Sequence, residues 1–313
     1  MNILDSKSHE KELGEITSLS KMNQIPSLVM IKKTIIFDLC PYKRLILSIF
    51  IIVLIPALVL GFTPQRVLGG EESVVQLLGF VTWYFVFSII FPIIIISSTG
   101  PLISEELRSG TMLFLISKPI SRTKVLLSKI ISLYLFGMII SIISLSIIAL
   151  ISIIKYPFVD IGIYIWLNFI YSLIMLFFFG SMTMGFSSIF KKARNVLIIP
   201  LILVIFSFLL IMMFKPMLLF MQDNLYEKYL LYNFDLGYQF ANVFLWIVED
   251  IIPDFMNYYG PIFYMFGIVK FDDEWDYVKT EYYHPIFSLL YLIIIGLVLL
   301  IIGILTLKKR DIS

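Results

Sequence analysis

A chain of 313 residues that is 59% hydrophobic, 16% aromatic and only 15% charged cannot coat a water-soluble globule, since soluble domains carry about 25% charged residues. Its mean hydropathy of +0.96 requires a lipid bilayer as solvent, and its net charge of +2 gives no electrostatic ground for a nucleic-acid partner. One cysteine, Cys40, excludes an intrachain disulfide, and two histidines, His9 and His284, exclude a His-rich metal site.

The N-terminal segment, residues 1–44, opens without an apolar core of its own and is no cleaved signal peptide. Within it, residues 26–44 mix apolar positions with Lys32, Lys33 and Asp38. That mixture predicts a short amphipathic helix lying on the membrane interface, with a plain linker as the alternative. Six apolar runs follow, at 45–62, 76–98, 130–154, 163–190, 195–214 and 286–307, and each lacks Asp, Glu, Lys and Arg. About 20 helical residues cross a bilayer core. A charge at mid-span costs roughly 2.5–3.5 kcal/mol, whereas each Leu or Ile returns only about 0.3–0.6. Period-two alternation is absent, so the spans are helices. The expected fold is an all-α polytopic membrane protein with six transmembrane helices, 45–307, an N-terminal interfacial helix and a short tail at 308–313.

Lys and Arg are distributed unevenly. Eighteen fall on the side that holds the N-terminus, the loop 104–129, the loop after the fourth run and the C-terminus, and six fall on the other. The positive-inside rule places both termini and the 104–129 loop in the cytoplasm of a cell membrane. The segment 215–285 then faces outward. It holds eleven acidic residues against four lysines and is rich in Tyr and Phe, which reads as an acidic, aromatic external cap. Its apolar stretch 240–252 is too short to span before Glu249 and Asp250, and reads as a re-entrant or interfacial helix. Pro56, Pro92 and Pro200 are expected to kink their spans.

The loop 104–129, SEELRSGTMLFLISKPISRTKVLLSK, is polar and basic between two apolar runs. Ser109-Gly110 breaks the helix leaving the second span, because Gly costs about 1 kcal/mol against Ala inside a helix. Thr111 can cap a short helix over 112–117, and Pro119 ends it. Ser121 can cap the helix that becomes the third span, with Arg122 and Lys124 at the headgroups. The face of Met112, Leu113, Leu115 and Ile116 is apolar outside the membrane. It suits docking onto a partner, or folding back against the bilayer.

Glu106, Gly110, Thr111, Leu115, Pro119, Ser121, Arg122 and Lys129 stand in the pattern E-x-x-x-G-T-x-x-x-L-x-x-x-P-x-S-R followed by Lys. This resembles the signature of ABC-2 type transporter permease subunits, in the branch similar to the nitrous-oxide-reductase maturation permease. The six-span layout resembles that family as well. The resemblance implies a permease that pairs with separate ATP-binding ABC subunits and with a second permease subunit, identical or related. A cytoplasmic coupling helix would seat in a cleft of the ATPase, and the whole would act as an exporter in a prokaryotic plasma membrane. Glu106 and Arg122 would be polar anchors, Thr111, Leu113, Leu115 and Ser121 would belong to the docking element, Gly110 would supply the bend and Pro119 the stop. A local salt bridge holding the hinge is the alternative role for Glu106 and Arg122.

No G-x-x-x-x-G-K-[ST] occurs, so ATP and Mg are expected on the partner chain, with no cofactor, metal or catalytic site in this one. Glu105-Glu106 invites comparison with the E-E-x-x-x-R motif of intramembrane proteases, but Arg108 has the wrong spacing and no histidine lies in a span. Gly180, Ser181, Thr183, Gly185, Ser187 and Ser188 in the fourth run suit close helix packing or a translocation lining, as do Ser141, Ser144, Ser146, Asn168 and Ser172. The spans carry no carboxylate, which counts against a secondary transporter or channel. A non-transport membrane anchor is the other alternative. The apolar spans suit a lipid-like or drug-like cargo.

Overall fold

A computed structural model describes residues 28–39, 42–63, 71–110, 122–156, 161–220, 225–249, 255–271, 276–280 and 282–309. The short helix α1, Leu28–Lys33, continues as a π-helical stretch, Thr34–Leu39, and packs along the third span. Helix α2, Tyr42–Phe62, has 21 residues, which reach about 30 Å at 1.5 Å per residue and match a bilayer core. Five further helices are long and apolar enough to cross a membrane: Val74–Ser109, Thr123–Lys155, Ile161–Ile189, Ala193–Leu218 and Pro285–Lys309. Each takes up one of the remaining apolar runs. The all-α polytopic expectation therefore holds, and the only strands among the described residues form one small hairpin.

The second span is built of pieces. It runs α3, Glu71–Gly79, then a π-helical stretch Phe80–Ile90, then α4, Phe91–Thr99, and α5, Pro101–Ser109. Pro92 sits at the start of α4, where its missing N–H falls next to the π-to-α change of register. The third span is α6, Arg122–Lys155, and the fourth is α7, Ile161–Ile189. The fifth joins α8, Ala193–Ile205, a π turn Phe206–Leu210, and α9, Ile211–Phe220. The π stretches of the second and fifth spans are joined where Tyr84 donates its hydroxyl to the Phe208 carbonyl at 2.9 Å.

The small residues of the fourth span are packing residues. Gly185 lies against Gly303 of the sixth span, so close that a Cβ built on Gly303 would sit 2.6 Å from the Gly185 Cα. Ser141 and Ser172 hydrogen-bond between the third and fourth spans at 2.6 Å, and Tyr134 bonds Ser181 at the same distance. Thr183 and Ser188 return their hydroxyls to their own helix. Lys155, at the end of α6, donates to the carbonyls of Leu60 and Gly61, which satisfies the C-terminal end of α2.

Segment 215–285 is not only a surface cap. After the short helix α10, Leu225–Lys228, helix α11, Leu236–Glu249, is buried along nearly its whole length. It packs against α13, Pro285–Lys309, and Asn242 bonds Ser288 there at 2.8 Å. Over residues 240–249 the stretch expected to be re-entrant or interfacial is enclosed by protein, with no continuous wetted face. Helix α12, Phe255–Met265, and the antiparallel pair β1, Val269–Phe271, and β2, Tyr277–Lys279, complete the segment. Trp83 of the second span stacks on Phe244 of α11 at 4.8 Å and meets Phe263 and Phe266 edge-on, which locks the segment into the span assembly.

The run 195–214 stops six residues before the helix, which continues to Phe220. Lys215 lies inside α9 and is fully buried. Its ammonium pairs with Asp235, itself 2% exposed, and donates to the Phe266 carbonyl at 2.7 Å. Tyr226 donates to the same Asp235 oxygen at 2.8 Å, and its ring lies 5.2 Å from the ammonium. Burial pushes the Tyr226 phenol far above its ordinary pKa and the neighbouring Asp235 charge adds to the rise, so it stays a donor.

Candidate functional site

The 104–129 segment has two roots, α5 and α6, and the structure describes both. Of its tip, Thr111, Leu113, Leu115, Pro119, Ser121 and the expected short helix 112–117 lie outside the described residues. Arg122 is the first residue of α6, and its side chain is likewise outside the description.

Gly100-Pro101 starts the first root. Pro at the first helical position costs no hydrogen bond, because that N–H has no partner within the helix anyway. The opened backbone is held by a side chain from another span. Ser187 of α7 donates to the Gly100 carbonyl at 2.8 Å and accepts from the N–H groups of Ile103 and Ser104, both at 3.1 Å. One donor and two lone pairs are all a hydroxyl has, so its capacity is fully used. Helix α5 ends at Gly110, whose φ of +73° and ψ of 0° are left-handed. That conformation costs an L-residue about 1–2 kcal/mol, which is the reason for Gly here. The expected break at Ser109-Gly110 is thus a left-handed helix cap.

The second root carries Lys129, seven residues into α6 and only 3% exposed. Its ammonium pairs with Glu106 Oε1 of α5 at 2.8 Å and donates to the Leu102 carbonyl at 2.5 Å. The other carboxylate oxygen, Glu106 Oε2, is buried with no partner among the described residues. Ser132, one turn on, donates to the Ser128 carbonyl of its own helix at 2.7 Å and lies 3.2 Å from the Ile31 carbonyl, which brings α1 to the same place. The spans on either side of the segment, the fourth span and α1 are therefore joined at one point. Glu106 and Lys129 come together here, in a pair inside the chain, and Gly110 stands four residues after Glu106 at the end of α5. Ser187 carries no signal in the sequence beyond its small size; the visible sign of its role is the Gly-Pro pair at 100–101, which marks a backbone break.

Glu106→Gln is expected to lower stability by about 2–3 kcal/mol, because it strands a buried ammonium. Glu106 is still 22% exposed, which keeps the loss below that of a fully buried pair. Thermal unfolding of the purified protein checks this. Replacing both partners with Leu and Met is expected to recover most of the loss.

The described residues hold no cluster of His, Cys, Asp and Glu suited to a metal ion. Among curated proteins no significant match is found. The family model for ABC-2 family transporter proteins matches residues 4–312. That match covers nearly the whole chain and all of its apolar helices. The chain belongs to the ABC-2 family of transporter proteins and is a membrane-spanning permease subunit of an ABC transporter.

Proposed function

We propose that this permease is the membrane half of an exporter whose ATP-binding subunits are separate chains, and that they act on it through the segment 104–129. Two permease subunits and two ATPases form the working unit. Both termini and the segment lie in the cytoplasm, and 215–285 lies outside. ATP-driven closure of the ATPases displaces the apolar tip at Leu113 and Leu115, and the roots carry the displacement to the spans.

One observation supports this reading above the rest. The Lys129 ammonium bridges Glu106 and Leu102, and Ser187 holds the backbone at Gly100, Ile103 and Ser104. A push on the segment cannot be absorbed by one helix; it moves the second, third and fourth spans as a unit. A loop serving only as a linker has no need of a buried ion pair at its base. Rigid contacts with two discrete arrangements are what transmit a conformational change.

Gly110→Val tests it. A β-branched residue is disfavoured at a φ of +73°, while a Cβ there would meet nothing within 4 Å among the described residues, so the change acts on the bend. The variant is expected to insert and to bind its ATPases. Trapping the complex with ATP and vanadate should then no longer change the protease sensitivity of 215–285. An unchanged response in Gly110→Val would contradict the proposed route.

A further inference from the structure

On the face opposite the hinge, where the sixth span begins, a cavity of about 340 Å³ is lined by Asn242, Trp246, Glu249, Lys279, Tyr283 and His284. It is a mixed cup, with one cation, one anion, an indole, a phenol, an amide and an imidazole. Lys279 Nζ and Glu249 Oε2 are 2.7 Å apart. A pair this close presents adjacent charges of opposite sign and no net charge. A simple anion drawn to Lys279 meets Glu249, and a simple cation drawn to Glu249 meets Lys279. A zwitterion laid head to tail along the pair meets neither penalty.

The rest of the lining sorts by sign in the same way. His284 Nδ1 accepts from the Ile286 N–H at 3.2 Å, which leaves the ring proton on Nε2 as a donor. This donor stands at the N-terminus of α13, a helix of 25 residues whose dipole favours negative charge there. Lys279 adds a cationic group on that side. Trp246 stands edge-on to His284 at 6.2 Å. Its π face suits an ammonium, and Glu249 reinforces it. Immediately below the cup, α13 exposes Ile286, Phe287 and Leu290. A polar cup above an apolar strip has the profile of a lipid with its headgroup seated and its chains along the helix.

We infer that this cavity binds a zwitterionic amine–phosphate group, carried by a phospholipid headgroup at the membrane surface. The phosphate lies toward Lys279 and His284, and the ammonium toward Glu249 and Trp246. The site is independent of the transport reading and stands or falls without it.

The test uses the purified full chain. Dihexanoyl phosphatidylethanolamine, dihexanoyl phosphatidylglycerol, phosphoethanolamine and inorganic phosphate are titrated separately, below micelle-forming concentrations. Tryptophan fluorescence is the readout, with Trp246→Phe as the control for which tryptophan responds. Saturable binding of the phosphatidylethanolamine is expected. Phosphatidylglycerol and inorganic phosphate should bind at least tenfold more weakly. Lys279→Ala and Glu249→Gln should each lose at least tenfold in affinity while keeping the wild-type unfolding midpoint. If either variant is unstable, His284→Ala, at an exposed position, supplies the same reading. Saturation by the lipid but not by phosphoethanolamine supports the headgroup source. Equal saturation by both supports the zwitterion site with a soluble source in place of the lipid. Equal binding of inorganic phosphate or phosphatidylglycerol, or full affinity in the folded variants, would overturn the inference.

Discussion

Replacing Lys215 with methionine is expected to destabilise the protein by about 3–5 kcal/mol, the cost of leaving a buried charge without its partner. Lys215 is fully buried, and the carboxylate it neutralises is almost as deep. In the variant Asp235 keeps only the Tyr226 hydroxyl among the donors described here. The Phe266 carbonyl also loses its donor, just before Gly267, whose φ is +68° and whose missing Cβ would lie 2.7 Å from the Lys215 Cδ. The lysine thus fastens the end of the fifth span to α10, to the start of α11 and to the turn after α12. Thermal unfolding of the purified protein reads the loss, and limited proteolysis should cut first within 215–285. Asp235→Asn is expected to act in the same direction. Replacing both residues with apolar ones of similar size is expected to restore most of the stability, because the desolvation of two charges disappears together with their attraction.

Gly303→Leu is expected to force the fourth and sixth spans apart. Among the described elements these helices share the most extensive contact, and at its closest point the neighbours are backbone atoms that cannot rotate away. A Cβ on Gly303 would meet the Gly185 Cα and carbonyl oxygen at 2.6 Å each, and a Cβ on Gly185 would meet the Leu299 carbonyl oxygen at 2.4 Å. Over-packing of this kind costs about 1–3 kcal/mol and occasionally more. Even Gly185→Ala should lower the unfolding midpoint. Gly61→Ala is the control, because no described residue lies within 4 Å of a Cβ built there and helix propensity favours Ala. An unchanged midpoint in Gly303→Leu would mean that small residues are not what brings these spans together.

The spans were open to sequence reading because hydropathy integrates over many residues, and no single side chain decides the outcome. The break at Gly110 was visible for a different reason: a left-handed cap asks for one residue type, and Ser-Gly supplies it at the edge of a basic segment. Lys215 shows where such reading ends. A charge in a hydropathy profile marks the end of a span, yet this lysine continues its helix because an aspartate twenty residues on neutralises it. That partner is set by tertiary packing and by no local pattern. Ser187 is equally silent, since its worth lies in the broken backbone of another span. Helix α11 reads as re-entrant or interfacial when its length is weighed against a bilayer, and the partners that bury it, Trp83 and α13, are set by the fold. The Glu106 and Lys129 positions were both picked out by motif, but their pairing across the base of the segment needed the fold.

The claim on which the function rests is that the tip of segment 104–129 touches the ATP-binding subunit. The direct measurement is site-specific cross-linking in the complex with its co-expressed ATPase, in a Cys40→Ser background. Leu113→Cys is expected to give a covalent adduct with the ATPase through a short bifunctional thiol–amine reagent, and Val278→Cys, exposed on the opposite face, is expected to give none. An adduct from position 278 with none from position 113 would contradict the account.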